Sequence, residues 1–241
     1  MNSSERKLFM IIPLYENSST QGYVELVSFL GNELTPVNAA RVSFGKESKV
    51  LTEKDKKLIK YLIKHNHTSP FEHNVITFKF KVPLFVARQH MRHRTWSFNE
   101  ISRRYTNVDL DFYLPETLRT PHDTNRQASI PDSSEDPVIK VFQGEYGWYN
   151  LHASEAIKSH VQDSIKLFEN LLDANVCKEQ ARMILPQNMY TTYIGTVNLN
   201  NLIKFIKLRD HEGAQLEIQE MAIACKTIAK HCWPEIIEFL E

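Results

Sequence analysis

Residues 74–83, NVITFKFKVP, alternate apolar and polar side chains, with Ile76, Phe78, Phe80 and Val82 on one side and Thr77, Lys79 and Lys81 on the other. A period of two predicts a strand with one buried and one wet face. Residues 22–30 (GYVELVSFL) and 191–197 (TTYIGTV) are rich in β-branched and aromatic residues and predict two more. Residues 105–114 read as a further, less regular strand. The apolar patch at residues 8–13, LFMIIP, is a strand or part of a loose N-terminal extension. It falls far below the roughly 20 residues needed to span a bilayer.

A helical period takes over elsewhere. Leu58, Ile59, Leu62 and Ile63 share one helical face behind a capping pair, Thr52 and Asp55, and that helix should stop near His65 or Asn66. Thr35 and Pro36 predict a helix start that runs through Ala39 and Ala40 to about Phe44. Thr offers the cap oxygen, and Pro tolerates the first position because that N–H has no intrahelical partner. Pro83 opens a helix on which Leu84, Ala87 and Met91 share a face. Further helices are expected over 138–174, weakened at Gly144 and Gly147, and over 176–185, ended by Pro186. Two more follow, at 199–208 behind an Asn198 cap and at 214–231. Residues 116–137, with almost no apolar side chain after Leu118, predict a surface loop. The expected fold is α+β, a single domain with a mostly antiparallel sheet and several long helices. It spans residues 22–241, behind an N-terminal extension of residues 1–21.

Composition narrows the chemistry. Twenty-nine basic and 29 acidic residues cancel, so the molecule has no overall field to hold a polyanion or an anionic membrane. Any anion site must be local. Three cysteines without CxxC spacing (Cys177, Cys225, Cys232) argue against a disulfide framework and for a reducing, cytoplasmic setting.

Against that neutral background, residues 89–105 (QHMRHRTWSFNEISRRY) hold four of the eleven arginines, with Arg88 directly beside them. The helix from Pro83 carries the chain into this cluster, which should occupy the helix end and the following loop. Solvated faces are normally built from lysine and glutamate, whereas arginine's planar fork grips carboxylates and phosphates two-pronged. Gln89, Ser97, Asn99, Glu100 and Ser102 complete the vocabulary of a polar ligand pocket. Trp96, Phe98 and Tyr105 would also suit stacked bases, but no basic stripe extends the patch, which argues against nucleic acid. His65, His67, Glu72, His73, His90 and His93 could ligate a metal, yet no spacing is a zinc signature and adjacent arginines would repel a dication. No metal is expected.

The stretch from Arg92 to Ser102 has the form RHR, seven residues, then Ser. It resembles the signature of the flavin-dependent thymidylate synthase family. Other segments follow in that family's order: AARVSF (39–44), HTSPFEH (67–73), PLFVARQ (83–89), NEISRRY (99–105), ARMILP (181–186), TVN (196–198) and LR (208–209). The resemblance implies reductive methylation of dUMP to dTMP with FAD, methylenetetrahydrofolate and NADPH, in a homotetramer with shared active sites. It implies no nucleic-acid and no membrane partner. A noncatalytic nucleotide-binding module is the alternative of a different class.

Carried over by position, the resemblance sets Ser69, Arg92, His93, Arg94, Glu100 and Asn198 against the flavin, with His67 and Glu72 in the same pocket. It assigns Gln89, Arg92, Glu100, Ser102, Arg104, Arg182 and Arg209 to dUMP. Arg209 would be catalytic, stabilising charge at uracil N3 and O2 so that C5 becomes nucleophilic. Ser102 is expected to bind phosphate rather than attack, and Cys177 to be no nucleophile. Three positions depart from the family pattern: Arg103 where a small residue is usual, Asn200 where a basic flavin contact is usual, and Gly213 where histidine is frequent. Lys204 or Arg103 could then supply the missing cation, so Asn200, Lys204 and Arg103 join the expected site.

Overall fold

The structure, a computed structural model, describes residues 10–106, 110–125, 128–130, 136–142 and 144–239. In chain order its elements are β1 (Ile11–Leu14), β2 (Gly22–Leu30), α1 (Leu34–Arg41), α2 (Glu53–Lys64), β3 (Val75–Pro83), α3 (Leu84–His90) and β4 (Trp96–Glu100). Two short hairpins follow, β5 (Thr120–Pro121) with β6 (Ser129–Ile130), and β7 (Val138–Phe142) with β8 (Trp148–His152). The remainder is α4 (Ala153–Asp173), α5 (Lys178–Ala181), β9 (Tyr190–Asn198), α6 (Leu199–Arg209), α7 (Leu216–Cys232) and α8 (Pro234–Glu238).

The alternation of β3 decides the architecture. Ile76, Phe78, Phe80 and Val82 expose no surface, because β3 lies at the centre of a five-stranded sheet in the order β1-β2-β3-β9-β4. Every pairing is antiparallel. The buried face packs on Leu202, Phe205 and Ile206 of α6 and Met221, Cys225 and Ile228 of α7. In β9, Gly195 sits between Phe78 on β3 and Phe98 on β4. A methyl there would come within 3.0 Å of Phe80 Cε2 and 3.3 Å of Trp96 Cε3, so glycine lets the rings close over the backbone. A smaller core, built on Phe112, Val161, Phe168, Ala181 and Met189, joins α4 and α5 to the domain.

The capping pair expected before α2 is present: Asp55 N donates to Thr52 Oγ1 at 3.4 Å and Thr52 N to Asp55 Oδ2 at 2.9 Å. Asn198 likewise caps α6, accepting from Asn201 N at 3.0 Å.

Several expectations are corrected. Thr35 is no cap, because α1 starts one residue earlier and the Thr35 hydroxyl accepts from Asn32 N instead. That helix ends at Arg41, and Val42–Phe44 continue as a tighter 3₁₀ turn. The described part of residues 105–114 forms no strand: Tyr105 lies in a turn and one bridge joins Phe112 to Met189, while residues 107–109 lie outside the described residues. The fourth long pairing of the sheet comes from β4, inside the arginine stretch itself. Residues 138–142 and 148–152 pair as a hairpin where helix is expected. VIKVF and WYNLH are β-formers, and Gly144 and Gly147, at φ 40° and 70°, make the turn that only a weakened helix had suggested. The expected 116–137 loop contains β5 and β6, with 126–127 and 131–135 outside the described residues. The 176–185 helix is a single α-turn followed by a 3₁₀ turn, Arg182–Ile184. The patch within the expected extension supplies β1, an edge strand paired to β2, while residues 1–9 lie outside the described residues. Among the described residues no helix is long and apolar enough to cross a membrane.

Candidate functional site

The 89–105 stretch is divided by its own geometry. In β4 the alternation turns Trp96 and Phe98 onto the core and Ser97 and Asn99 outward, and Glu100 ends the strand, exposed. His90, at the end of α3, is completely buried in a cage of rings: Phe80, Trp96, Phe98 and Phe205 lie 5.1, 4.5, 5.3 and 4.8 Å from it between centroids. Its Nδ1 lies 2.8 Å from the Tyr193 hydroxyl. Burial, reinforced by His93 and Arg209, holds the His90 imidazole well below its usual range, so it stays neutral. The aromatic cage forms a dry floor.

On this floor stand His93 and Arg209. Arg209 Nε donates to His93 Nε2 at 3.1 Å, which requires that nitrogen to carry no proton. Burial first, and the Arg209 charge second, lower the His93 pKa to about 4, consistent with the acceptor role. Burial also draws Arg209 below its ordinary value. The contact uses one of five guanidinium N–H donors and fixes the plane of the other four. Such a pre-oriented cation suits charge that develops on a ring oxygen or nitrogen.

A second group lies beside the start of α6. His67, Asn200 and Lys204 line a recess of about 110 Å³ with Lys207, Leu62 and Phe71. Asn200 Nδ2 donates to Glu72 Oε1 at 3.0 Å. Ser69 opens the adjoining 3₁₀ turn, Ser69–His73, and is exposed.

A third group lines a cavity of about 490 Å³ that holds Glu100, Arg103 and Arg182, with Arg88 and Thr191. Glu100 Oε1 accepts from Thr191 Oγ1 at 2.6 Å, and Arg182 Nε donates to Glu179 O at 3.4 Å. Nearby in sequence, Ser102 Oγ accepts from Arg104 N at 3.3 Å, and the exposed Arg104 lies over the Tyr105 ring. Arg92 and Arg94 are exposed.

The expected residues thus fall into three groups rather than one pocket. Of the two candidates for the missing cation, Lys204 shares a recess with Asn200, whereas buried Arg103 lines the other cavity. Gly213 lines a further recess with His122 and Asn125. A recess of about 870 Å³ around Ile12, Tyr113, Leu216 and Ile223 contains none of the expected residues. Two contributors escaped the sequence reading. Thr191 and Gln215 are uncharged and belong to no motif, yet they hydrogen-bond the expected residues Glu100 and Gln89. Among the described residues, no three His, Cys, Asp or Glu side chains group as a metal site would require.

Comparison with known proteins gives this geometry a family. The model of the thymidylate synthase complementing protein family matches residues 25–235. The chain belongs to that family. The flavin-dependent thymidylate synthase of Thermosipho melanesiensis is 42% identical over 218 residues, 90% of each chain. That of Thermus thermophilus is 41% identical over 89% of this chain and 73% of its own. Among solved structures, a UMP/dUMP methylase PolB from Streptomyces cacaoi, bound with 5-Br UMP, superposes with a TM-score of 0.75. It is 31% identical and covers 90% of this chain and 92% of its own. Membership in the flavin-dependent thymidylate synthase family carries the enzyme class expected from the arginine motif, a flavin-dependent methyltransferase.

Proposed function

We propose that the protein methylates dUMP to dTMP in the cytoplasm, taking carbon from methylenetetrahydrofolate and hydride from FAD reduced by NADPH. The observation that carries this reading is the Arg209–His93 pair: a cation from the end of α6, locked in plane by the histidine of the arginine motif on a dry aromatic floor. Arg209 stabilises negative charge at uracil N3 and O2, which raises the electron density at C5. Neutral His93 holds the guanidinium without cancelling its charge.

The donor set fits FAD. Arg92 and Arg94 are exposed cations, Lys204 and Asn200 share a recess, and His67 adds a ring, so a diphosphate and a planar heterocycle both find partners. Bound there, FAD supplies a two-electron hydride donor. Ser69, Glu72, Glu100 and Asn198 orient it, while Gln89, Arg92, Glu100, Ser102, Arg103, Arg104 and Arg182 hold the nucleotide. The recess around Asn200 and the cavity around Arg182 share no lining residue. A homotetramer whose sites draw on several copies unites them. Cysteine chemistry has no place in this scheme. Cys225 and Cys232 are buried, and burial pushes the Cys225 thiol up, away from thiolate.

Purified protein should be yellow, bleach with NADPH and form dTMP. Arg209→Ala should lower kcat/KM about 10²–10³-fold with flavin retained. Undiminished turnover by Arg209→Ala, or its abolition by Cys177→Ala in a folded flavoprotein, overturns the scheme.

A further inference from the structure

We infer that Gln215 is a positioning residue that fixes which way the Gln89 amide meets the substrate, as one link of a chain running Arg119, Glu217, Gln215, Gln89. The inference rests on the proposed reading of Gln89 as a nucleotide contact and adds the device that orients it.

The chain starts from a buried carboxylate. Glu217, 3% exposed in α7, receives Arg119 Nη2 at 2.6 Å and the Tyr113 hydroxyl at 3.1 Å on Oε1, and Gln215 Nε2 at 2.9 Å on Oε2. A carboxylate only accepts, so Gln215 must turn its NH₂ towards Glu217. Its oxygen then faces the other way, where Gln89 Nε2 lies 3.4 Å off. An amide oxygen also only accepts, so Gln89 must offer its own NH₂. Two successive amides are therefore set by donor and acceptor logic, and neither can flip alone without placing like poles together. The outcome at Gln89 is specific: its Oε1 is buried without a hydrogen-bond partner among the described residues. A buried acceptor without a donor is costly unless a ligand supplies one. With Oε1 held inside and one amide hydrogen on Gln215, the second amide hydrogen is the group Gln89 offers the nucleotide.

The ionised state of Glu217 drives the arrangement. Burial pushes its carboxyl up, but the Arg119 charge and the hydrogen bonds from Arg119 and Gln215 outweigh that and hold it below the ordinary value. Arg119 comes from the excursion that also carries β5 and β6, and its Nε donates to Ser129 Oγ at 2.8 Å. One ion pair thereby anchors that excursion to the orientation of a substrate contact.

The test is titration of dUMP onto FAD-loaded enzyme, with steady-state kinetics, for Gln89→Met, Gln215→Met and the double variant. Each single change should weaken dUMP binding about five- to tenfold and raise its KM alike, with kcat within about twofold. The double should bind no more weakly than Gln89→Met alone. Combining Gln215→Glu with Glu217→Gln keeps an acceptor facing Gln89 and should restore affinity to within about threefold of wild type. Multiplying effects, a loss confined to kcat, or unchanged dUMP binding in Gln215→Met while Gln89→Met weakens it would overturn the relay alone. Unchanged binding in Gln89→Met would overturn the proposed nucleotide contact and the relay with it. If Gln215→Met does not retain FAD, the swapped pair decides: wild-type affinity supports the relay, and affinity as weak as that of Gln89→Met refutes it.

Discussion

The aromatic floor and the arginine rim both draw on the same seventeen residues, 89–105, yet they obey different rules. The floor is complete in itself. Trp96 and Phe98 stack at 5.8 Å with a 3° tilt, His90 is fully enclosed, and Phe80 of the central strand braces His90 and Trp96. The rim is incomplete. Among the described residues, Arg88, Arg92, Arg94, Arg104 and Arg182 have no carboxylate within 4.0 Å, whereas Arg41 and Arg119 are paired at 2.5 and 2.6 Å. The pairing follows location: the paired cations serve the buried carboxylates Asp55 and Glu217, whereas the rim arginines are exposed. Trp96 and Phe98 turn inward from β4, whereas Arg88, Arg92, Arg94 and Arg104 lie on the segments flanking that strand, so stability and binding should separate under mutation.

The largest effect should come from the floor. Phe80→Ala removes a ring with no accessible surface and should cost about 3–5 kcal/mol in urea unfolding, with flavin binding lost as a consequence. A cost below about 1 kcal/mol would mean that the rings are not the packed support described.

Acid should act next, through the imidazoles. The folded-state pKa values of His90 and His93 are depressed, that of His93 to about 4, so the unfolded chain takes up protons that the folded one refuses. Their effect on stability is absent above the ordinary histidine pKa of about 6.5 and grows unfavourable as pH falls from there towards 4. Unfolding free energy measured at pH 7, 6 and 5 should decline, and His90→Phe should flatten that decline. An equal slope in both proteins would remove His90 from the explanation.

The smallest effect on stability should come from the rim. Arg92→Ala with Arg94→Ala should shift unfolding by no more than about 0.5 kcal/mol while lowering flavin retention on gel filtration. A stability loss comparable to that of Phe80→Ala would erase the distinction between floor and rim.

Much of the fold was legible where one local signal sufficed. The alternation of 74–83, the Thr52–Asp55 cap and the Asn198 cap all appear as expected, because each depends on residues adjacent in the chain or a few apart. Errors arose where competing signals overlapped. Arginines hid the alternation of Trp96 and Phe98, and two glycines that turn a hairpin looked like flaws in a helix. For the candidate site the sequence offered a list of expected residues, only part of it in the contiguous 92–102 motif. Its division into three groups was not legible.

The sequence by itself determined the family, the central strand and the concentration of arginines, because periodicity and motif spacing are properties of neighbouring positions. Tertiary structure alone decided that His93 accepts from Arg209 across 116 positions and that Gln215 turns the amide of Gln89 across 126. Hydrogen-bond polarity is set by whatever lies within about 3 Å, and chain order does not record which distant residue that will be.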